Sequence, residues 1–142
     1  MAKNKLSTGA VIACIAAVLA LIGLIAYLIN TGTAYYAKNG VDAVIVVCLI
    51  AAAALSLIRL FYGKDGNPAW TDLFPVCAAV LAAVGFMFLL NARINSLAAV
   101  FTFENNAANM ADTTSCIVAI AACLLAVIVT VVSAFSDTAS EA

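Results

Sequence analysis

The sequence contains no histidine and very few charged residues. Only 9% of its 142 residues are Asp, Glu, Lys or Arg, whereas 67% are hydrophobic and the mean hydropathy is +1.19. A soluble domain is roughly half apolar and about a quarter charged, so the composition excludes a water-soluble globular protein and a disordered chain. With a net charge of −1, no basic surface is left for nucleic acid or anionic lipid. The sequence therefore predicts an all-α integral membrane protein.

The missing histidine also narrows the chemistry. Histidine is the commonest general base and the commonest metal ligand. Five cysteines are present, but none forms a C-x-x-C pair, which is the usual spacing of a zinc site. The sequence also lacks glycine-rich phosphate loops, serine–base arrangements and clustered carboxylates. We therefore expect no enzyme, no metal site and no cofactor.

Four apolar segments are each long enough to cross a bilayer, which needs about 20 helical residues. The first is longer than the apolar region of a cleavable signal peptide, so we expect it to be retained as a span. The sequence predicts an antiparallel bundle of four transmembrane helices, with 1–142 as a single transmembrane domain. The predicted spans are about 8–29, 43–62, 70–91 and 113–135.

Capping residues and turn signals separate these spans. Residues 63–68 hold two glycines, an aspartate, an asparagine and a proline, a composition typical of a tight turn. Asn67 followed by Pro68 is a typical helix start, so spans two and three should form a close hairpin. For the fourth helix, the sequence predicts an N-cap at Asn109 or Asp112.

The positions of the basic residues predict the orientation. If the N-terminus is cytoplasmic, four of the six lysines and arginines lie inside and only Lys38 and Arg93 lie outside, as the positive-inside rule requires. Both termini are then cytoplasmic. The two longer connections, 30–42 and 91–112, are then extracytoplasmic. The predicted location is the plasma membrane, which the chain crosses several times.

The predicted spans are rich in alanine and hold no ionisable side chain at mid-membrane. The charged residues nearest to them, Arg93 and Asp112 among them, fall near span ends, whereas ion-coupled transporters usually need an ionisable group inside the membrane. Small residues four apart predict helix faces that pack closely, within the bundle or against a second membrane protein or another copy. These positions are Ala13 and Ala17, Ala79 and Ala83, and Ala122 and Ala126.

The two outer connections are long and contain several aromatic residues. Ile94, Leu97 and Phe101 recur at helical spacing, which predicts that the third helix continues past the bilayer. Alternatively, the alternating residues 99–103 could pair as a strand with 33–36. The aromatic rings are either interfacial anchors or part of a contact surface. The second hypothesis places six residues close together on the outer face: Tyr35, Tyr36, Arg93, Phe101, Phe103 and Glu104.

These features favour a non-enzymatic small membrane subunit. It would anchor or stabilise a larger membrane or surface-exposed partner through its outer loops and a small-residue helix face. Its expected partners are the lipid bilayer and either a larger membrane or extracytoplasmic protein or further copies of the chain, with no nucleic acid. One alternative is an oligomeric channel or transporter for a small solute. Another is a thiol redox membrane protein using Cys116 and Cys123, although free cysteine in an apolar setting is normally a small hydrophobic residue.

Overall fold

The computed structural model describes residues 8–62 and 73–135, without the side chains of 59–62. It contains four α-helices and one short 3-10 helix, Ala37–Asn39, in the connection between the first two. The predicted 63–68 turn and the predicted cap at Asn67 lie outside the described residues. The helices are α1 (Thr8–Thr31), α2 (Ala43–Tyr62), α3 (Leu73–Thr102) and α4 (Ala107–Ala134).

Helix α3 continues well beyond the predicted span end at residue 91, as the helical spacing of 94, 97 and 101 indicates. Its last turn is closed by the side chain of Thr102, which donates to Ala98 O at 2.6 Å. The backbone N–H groups of Phe103 and Glu104 both donate to Ala99 O at 2.8 Å. The strand alternative for 99–103 is wrong, because no strand occurs in the described residues and residues 99–102 form the end of α3.

Helix α4 begins before either predicted cap, by about one turn relative to Asn109 and by nearly two turns relative to Asp112. Its N-cap is Asn106, whose backbone is extended and whose side chain accepts a hydrogen bond from Asn109 N at 2.8 Å. The predicted caps at Asn109 and Asp112 are therefore wrong, since both residues lie inside the helix. The physical reason is that 107 and 108 are alanines, the strongest helix formers, which extend the helix back to the preceding asparagine.

The four helices pack in the cyclic order α1, α2, α3, α4. Helices α1 and α4 run antiparallel, since Asn30 contacts Ser115 and Gly23 lies against Cys123. In the interior, Ala17 and Ala20 of α1 meet Ala53 of α2 and Ala126 of α4. At one end, Asn30 near the end of α1 meets residues near the start of α4. The connections 32–42 and 103–106 therefore lie together at that end of the bundle, which we call the loop end.

Small side chains fill the interior of the bundle, whereas most large aliphatic side chains point outward from it. Fully buried alanines include Ala13, Ala20 and Ala82, while Val47 and Leu125 are exposed. Water would disfavour so large an apolar exterior, but lipid tails are as apolar as these side chains. Helices α1, α3 and α4 are each long and apolar enough to cross a membrane, and the apolar part of α2, Ala43–Ile58, is shorter. The chain is thus a helical membrane protein.

The small residues predicted to pack between helices occupy two kinds of position. On α1 and α4 all four of them, Ala13, Ala17, Ala122 and Ala126, are buried within the bundle.

On α3, Ala79 and Ala83 are half-buried. The buried row of this helix runs one residue earlier, through Ala78 and Ala82 to Gly85. Gly85 lies against Cys48 and Leu49 of α2, where an added Cβ would be 3.2 Å from the Cys48 Cβ. The small residues of α3 therefore allow close approach to α2, in the register that this row defines.

Candidate functional site

A buried arginine lies at the centre of the loop end. Arg93 of α3 is only 1% exposed, and its Nε donates a hydrogen bond to Asn30 Oδ1 at 2.9 Å. Its guanidinium carbon lies 5.2 Å from the ring centroid of Tyr27 and 5.6 Å from that of Tyr36. Both distances are within the range of cation–π attraction. The positive charge is therefore held inside the bundle by one amide and two aromatic rings.

Asn30 connects three helices through a single side chain. While its Oδ1 accepts from Arg93 of α3, its Nδ2 donates to two groups of α4, Ser115 Oγ at 3.2 Å and Asp112 O at 3.3 Å. Asparagine suits this position because its amide carries an acceptor and two donor hydrogens on one short side chain. Since Asn30 is 1% exposed, these bonds are shielded from competing water.

The two tyrosines that face Arg93 are also fixed at their hydroxyl groups. Tyr27 OH accepts from the backbone N–H of Asp42 at 2.7 Å, which ties α1 to the start of α2. Tyr36 OH lies 2.8 Å from Thr113 Oγ1. Because Thr113 Oγ1 donates its own proton to Asn109 O, Tyr36 is the donor in this pair. Burial raises the pKa of Tyr36, so this hydroxyl stays protonated and able to donate.

A second set of contacts lies on the exposed rim of the loop end. Tyr35 OH donates to Glu104 Oε2, and this hydrogen bond raises the pKa of Tyr35 to about 12. The ammonium group of Lys38 lies over the Tyr35 ring, 4.4 Å from its centroid. The backbone N–H of Tyr35 donates to Asp112 Oδ2 at 3.1 Å. The contacts with Glu104 and Asp112 hold the 32–42 connection against the α3–α4 connection and the first turns of α4.

Two phenylalanine side chains are exposed where α3 leads into the α3–α4 connection. Phe101 is 51% exposed at the end of α3, and Phe103 is 92% exposed in the following turn. The turn is anchored on both sides: Glu104 N donates to Ala99 O at 2.8 Å, and Asn109 Nδ2 donates to Glu104 O at 2.9 Å. Phe103 therefore projects from a backbone that is hydrogen-bonded in place. We call Phe101, Phe103 and Glu104 the outer turn.

The structure divides the six predicted contact residues into two groups. Tyr36 and Arg93 are buried and face each other. With Tyr27, Asn30 and Thr113 they form what we call the internal cluster. Tyr35 and Glu104 are joined by a hydrogen bond on the rim. Phe101 and Phe103, which shortly precede Glu104 in the sequence, are exposed. The two groups are linked because the rings of Tyr35 and Tyr36 meet edge to face, with centroids 5.0 Å apart.

Sequence reasoning did not identify Tyr27, Asn30 and Thr113 as members of the cluster. A signal was present for the first two, since a tyrosine and an asparagine three residues apart occupy one face near the end of an otherwise apolar helix. Thr113 carried no such signal. Its role depends on Tyr36, which is 77 residues away in the chain.

The cysteines and acidic side chains of the described residues show no disulfide and no metal-binding group. All five cysteines are free, and Cys48, Cys116 and Cys123 are buried. No group of three or more Cys, Asp or Glu side chains able to hold a metal ion occurs among the described residues. Cys116 lies within hydrogen-bonding reach of Tyr36, which makes it a neighbour of the Arg93 cluster.

Comparisons with known proteins identify no relative: no protein-family model, no curated protein and no solved structure matches the chain. The function of the loop end must therefore be inferred from its own geometry.

Proposed function

We propose that the chain is a non-enzymatic membrane subunit that anchors or stabilises a larger membrane or surface-exposed protein, which it contacts through the outer turn. In this proposal all four helices span the plasma membrane, both termini are cytoplasmic and the loop end is extracytoplasmic. The single observation that carries the proposal is the 92% exposure of Phe103 on a hydrogen-bonded turn. A large apolar side chain fixed in this way is available for burial at no further cost in backbone ordering.

The length of α3 supports a position of the outer turn beyond the hydrocarbon core. At 1.5 Å per residue, its 30 residues measure about 45 Å, whereas the core is about 30 Å thick. The helix therefore projects past the bilayer by roughly ten residues if it starts near the opposite surface. Phe101 and Phe103 lie at the projecting end, where a protein partner could reach them.

The charges around Phe103 favour a protein partner over a lipid anchor. Glu104 follows Phe103 directly, and Lys38 lies on the same rim above the Tyr35 ring. Inserting Phe103 into lipid would bring the Glu104 carboxylate toward the hydrocarbon, which is costly. Exposed aromatic rings bordered by charged and polar groups are instead the usual composition of a protein interface.

The test is co-purification of the partner from the native membrane in mild detergent. The double variant Phe101→Ser, Phe103→Ser should lose the protein that accompanies the wild-type chain, because the main apolar contact is removed. Both side chains are exposed, so the bundle should remain inserted with an unchanged unfolding temperature. Tyr36 is unsuitable for this test, since it is buried and its substitution would disturb the bundle itself.

Phe135 offers a matched control, because it is 90% exposed at the opposite end of the bundle. The variant Phe135→Ser should keep the partner at the wild-type yield. Retention of the partner by the double variant would overturn the proposal. Equal loss in Phe135→Ser would also overturn it, because the effect would then follow from exposed phenylalanine in general.

A further inference from the structure

The guanidinium group of Arg93 has a donor that finds no acceptor. Its Nη2 atom is buried and has no hydrogen-bond partner in the described part of the chain. A buried arginine normally satisfies its donors, because an unpaired donor of a charged group in a low-dielectric interior is costly. Tyr27 and Tyr36 offer the charge their ring faces, but these contacts leave the N–H of Nη2 without an acceptor.

None of the acidic residues at the loop end neutralises this charge. Asp42 Oδ1 accepts from Val44 N at 2.9 Å, and Asp112 Oδ2 accepts from Tyr35 N at 3.1 Å. Glu104 accepts from the Tyr35 hydroxyl on the exposed rim. Arg93 forms no ion pair with any described residue. A full positive charge is therefore buried at the loop end with no carboxylate against it, which calls for an anion from outside the chain.

We propose that Arg93 Nη2 binds a small inorganic anion of the halide class at the loop end. The remaining geometry favours a single-atom anion over a carboxylate or a phosphate. Those groups are bound best through two parallel N–H donors of the guanidinium. One of these pairs, Nε with Nη2, is not available here, because Nε already donates to Asn30 Oδ1. A halide needs only one direct donor, and because Nη2 is buried, the smallest anions require the least displacement of the surrounding side chains.

Anion binding is tested on the purified full chain in detergent micelles, with chloride as the probe. Sodium gluconate is replaced stepwise by sodium chloride at constant ionic strength while the unfolding temperature is measured. A ligand that binds only the folded state stabilises it increasingly with the logarithm of its concentration above its dissociation constant. The unfolding temperature of the wild-type chain should therefore rise with chloride, and that of Arg93→Gln should not change.

Lys38→Gln is the matched control, because it removes an exposed positive charge from the same end of the bundle. It should keep the wild-type response to chloride. An unfolding temperature that does not depend on chloride in the wild-type chain would overturn the proposal. An equal response in Arg93→Gln would overturn it as well, since the effect would then be general to the salt.

A direct measurement decides the case if Arg93→Gln does not fold. Chloride that exchanges between solution and a protein site gives a broadened chlorine NMR line. The wild-type chain and Lys38→Gln should both broaden this line, and added bromide should reverse the broadening by competing for the site. If the wild-type chain causes no broadening that bromide reverses, Arg93 does not bind a halide.

Discussion

Arg93 of α3 and Asn30 of α1 are joined by a buried hydrogen bond of 2.9 Å, and the same asparagine amide also donates to α4. One side chain thus fixes three of the four helices at the end that carries both connections. Because Tyr36 packs against Arg93 and Tyr35 packs against Tyr36, this internal cluster also positions the exposed rim. The polar interior and the proposed contact surface are therefore parts of one connected structure.

The first prediction is that Asn30→Ala strongly destabilises the bundle. The substitution leaves Arg93 Nε, a buried charged donor, without its acceptor and removes both bonds to α4. A lost hydrogen bond to a charged group costs about 1.5 to 3 kcal/mol, and we expect a decrease of at least this size in the free energy of unfolding in micelles. Asn39→Ala is the control, because it removes an exposed bond to Ser96 and should change stability by less than about 0.5 kcal/mol.

The membrane character and the helical content were predictable from the sequence, because they depend on long apolar segments and local spacing. The extension of α3 followed from residues 94, 97 and 101, which all lie in one segment. The start of α4 was harder to predict, since asparagines at 105, 106 and 109 are all suitable caps. In the structure, Asn106 takes this role.

The internal cluster could not be predicted, because its members are distant in sequence. Arg93 was expected near a span end, as one of the residues of a contact surface on the outer face. Its burial depends on Asn30, which lies 63 residues away and supplies the acceptor. The separation of Tyr35 from Tyr36 was likewise unpredictable, since adjacent residues in an irregular connection carry no periodicity that tells which one faces inward.

The second prediction concerns alkaline pH. The hydrogen bond to Glu104 raises the pKa of Tyr35 from 10.0 to about 12. A group whose pKa is higher in the folded state contributes its full stabilisation below the unfolded pKa, near 10 for tyrosine, and loses it as the pH rises through the folded value. We therefore expect the Tyr35–Glu104 contact to stabilise the protein up to about pH 10 and to be lost through about pH 12.

Tyrosinate absorbance measures this directly. The difference between the titrations of the wild-type chain and Tyr35→Phe isolates Tyr35, and its midpoint should lie near 12. In a Glu104→Gln background the same difference should shift toward 10, because the charged acceptor is gone. A Tyr35 midpoint near 10 in both backgrounds would show that the hydrogen bond does not form in solution.

The third prediction tests the proposed orientation. In a background without the five native cysteines, a cysteine at Asn39 should react with an impermeant thiol reagent in intact cells. Asn39 is exposed at the loop end, which the positive-inside rule places outside. A cysteine at Lys64, in the connection between α2 and α3, should be protected from the reagent until the membrane is permeabilised. The reverse labelling pattern would place the loop end, and with it the outer turn, in the cytoplasm.

The last prediction concerns a close approach of α1 to α4 at Gly23. A Cβ added at Gly23 would stand 2.6 Å from Cys123 Sγ and 3.4 Å from the backbone nitrogen of the same residue. Gly23→Ala should therefore destabilise the bundle by about 1 to 3 kcal/mol, the usual cost of overpacking a core.

A substitution of Cys123 tests whether its sulfur atom causes this clash. The double variant Gly23→Ala, Cys123→Ala removes the sulfur atom in the way and should regain much of the lost stability, so the two substitutions are strongly non-additive. Gly32→Ala is the matched control, because its added Cβ would come no nearer than 3.4 Å to another atom. If Gly23→Ala is as stable as Gly32→Ala in micelles, the added methyl group does not clash with Cys123. Helices α1 and α4 would then be farther apart at Gly23 than the structure shows. Their antiparallel contact would be looser at Gly23 than at Asn30.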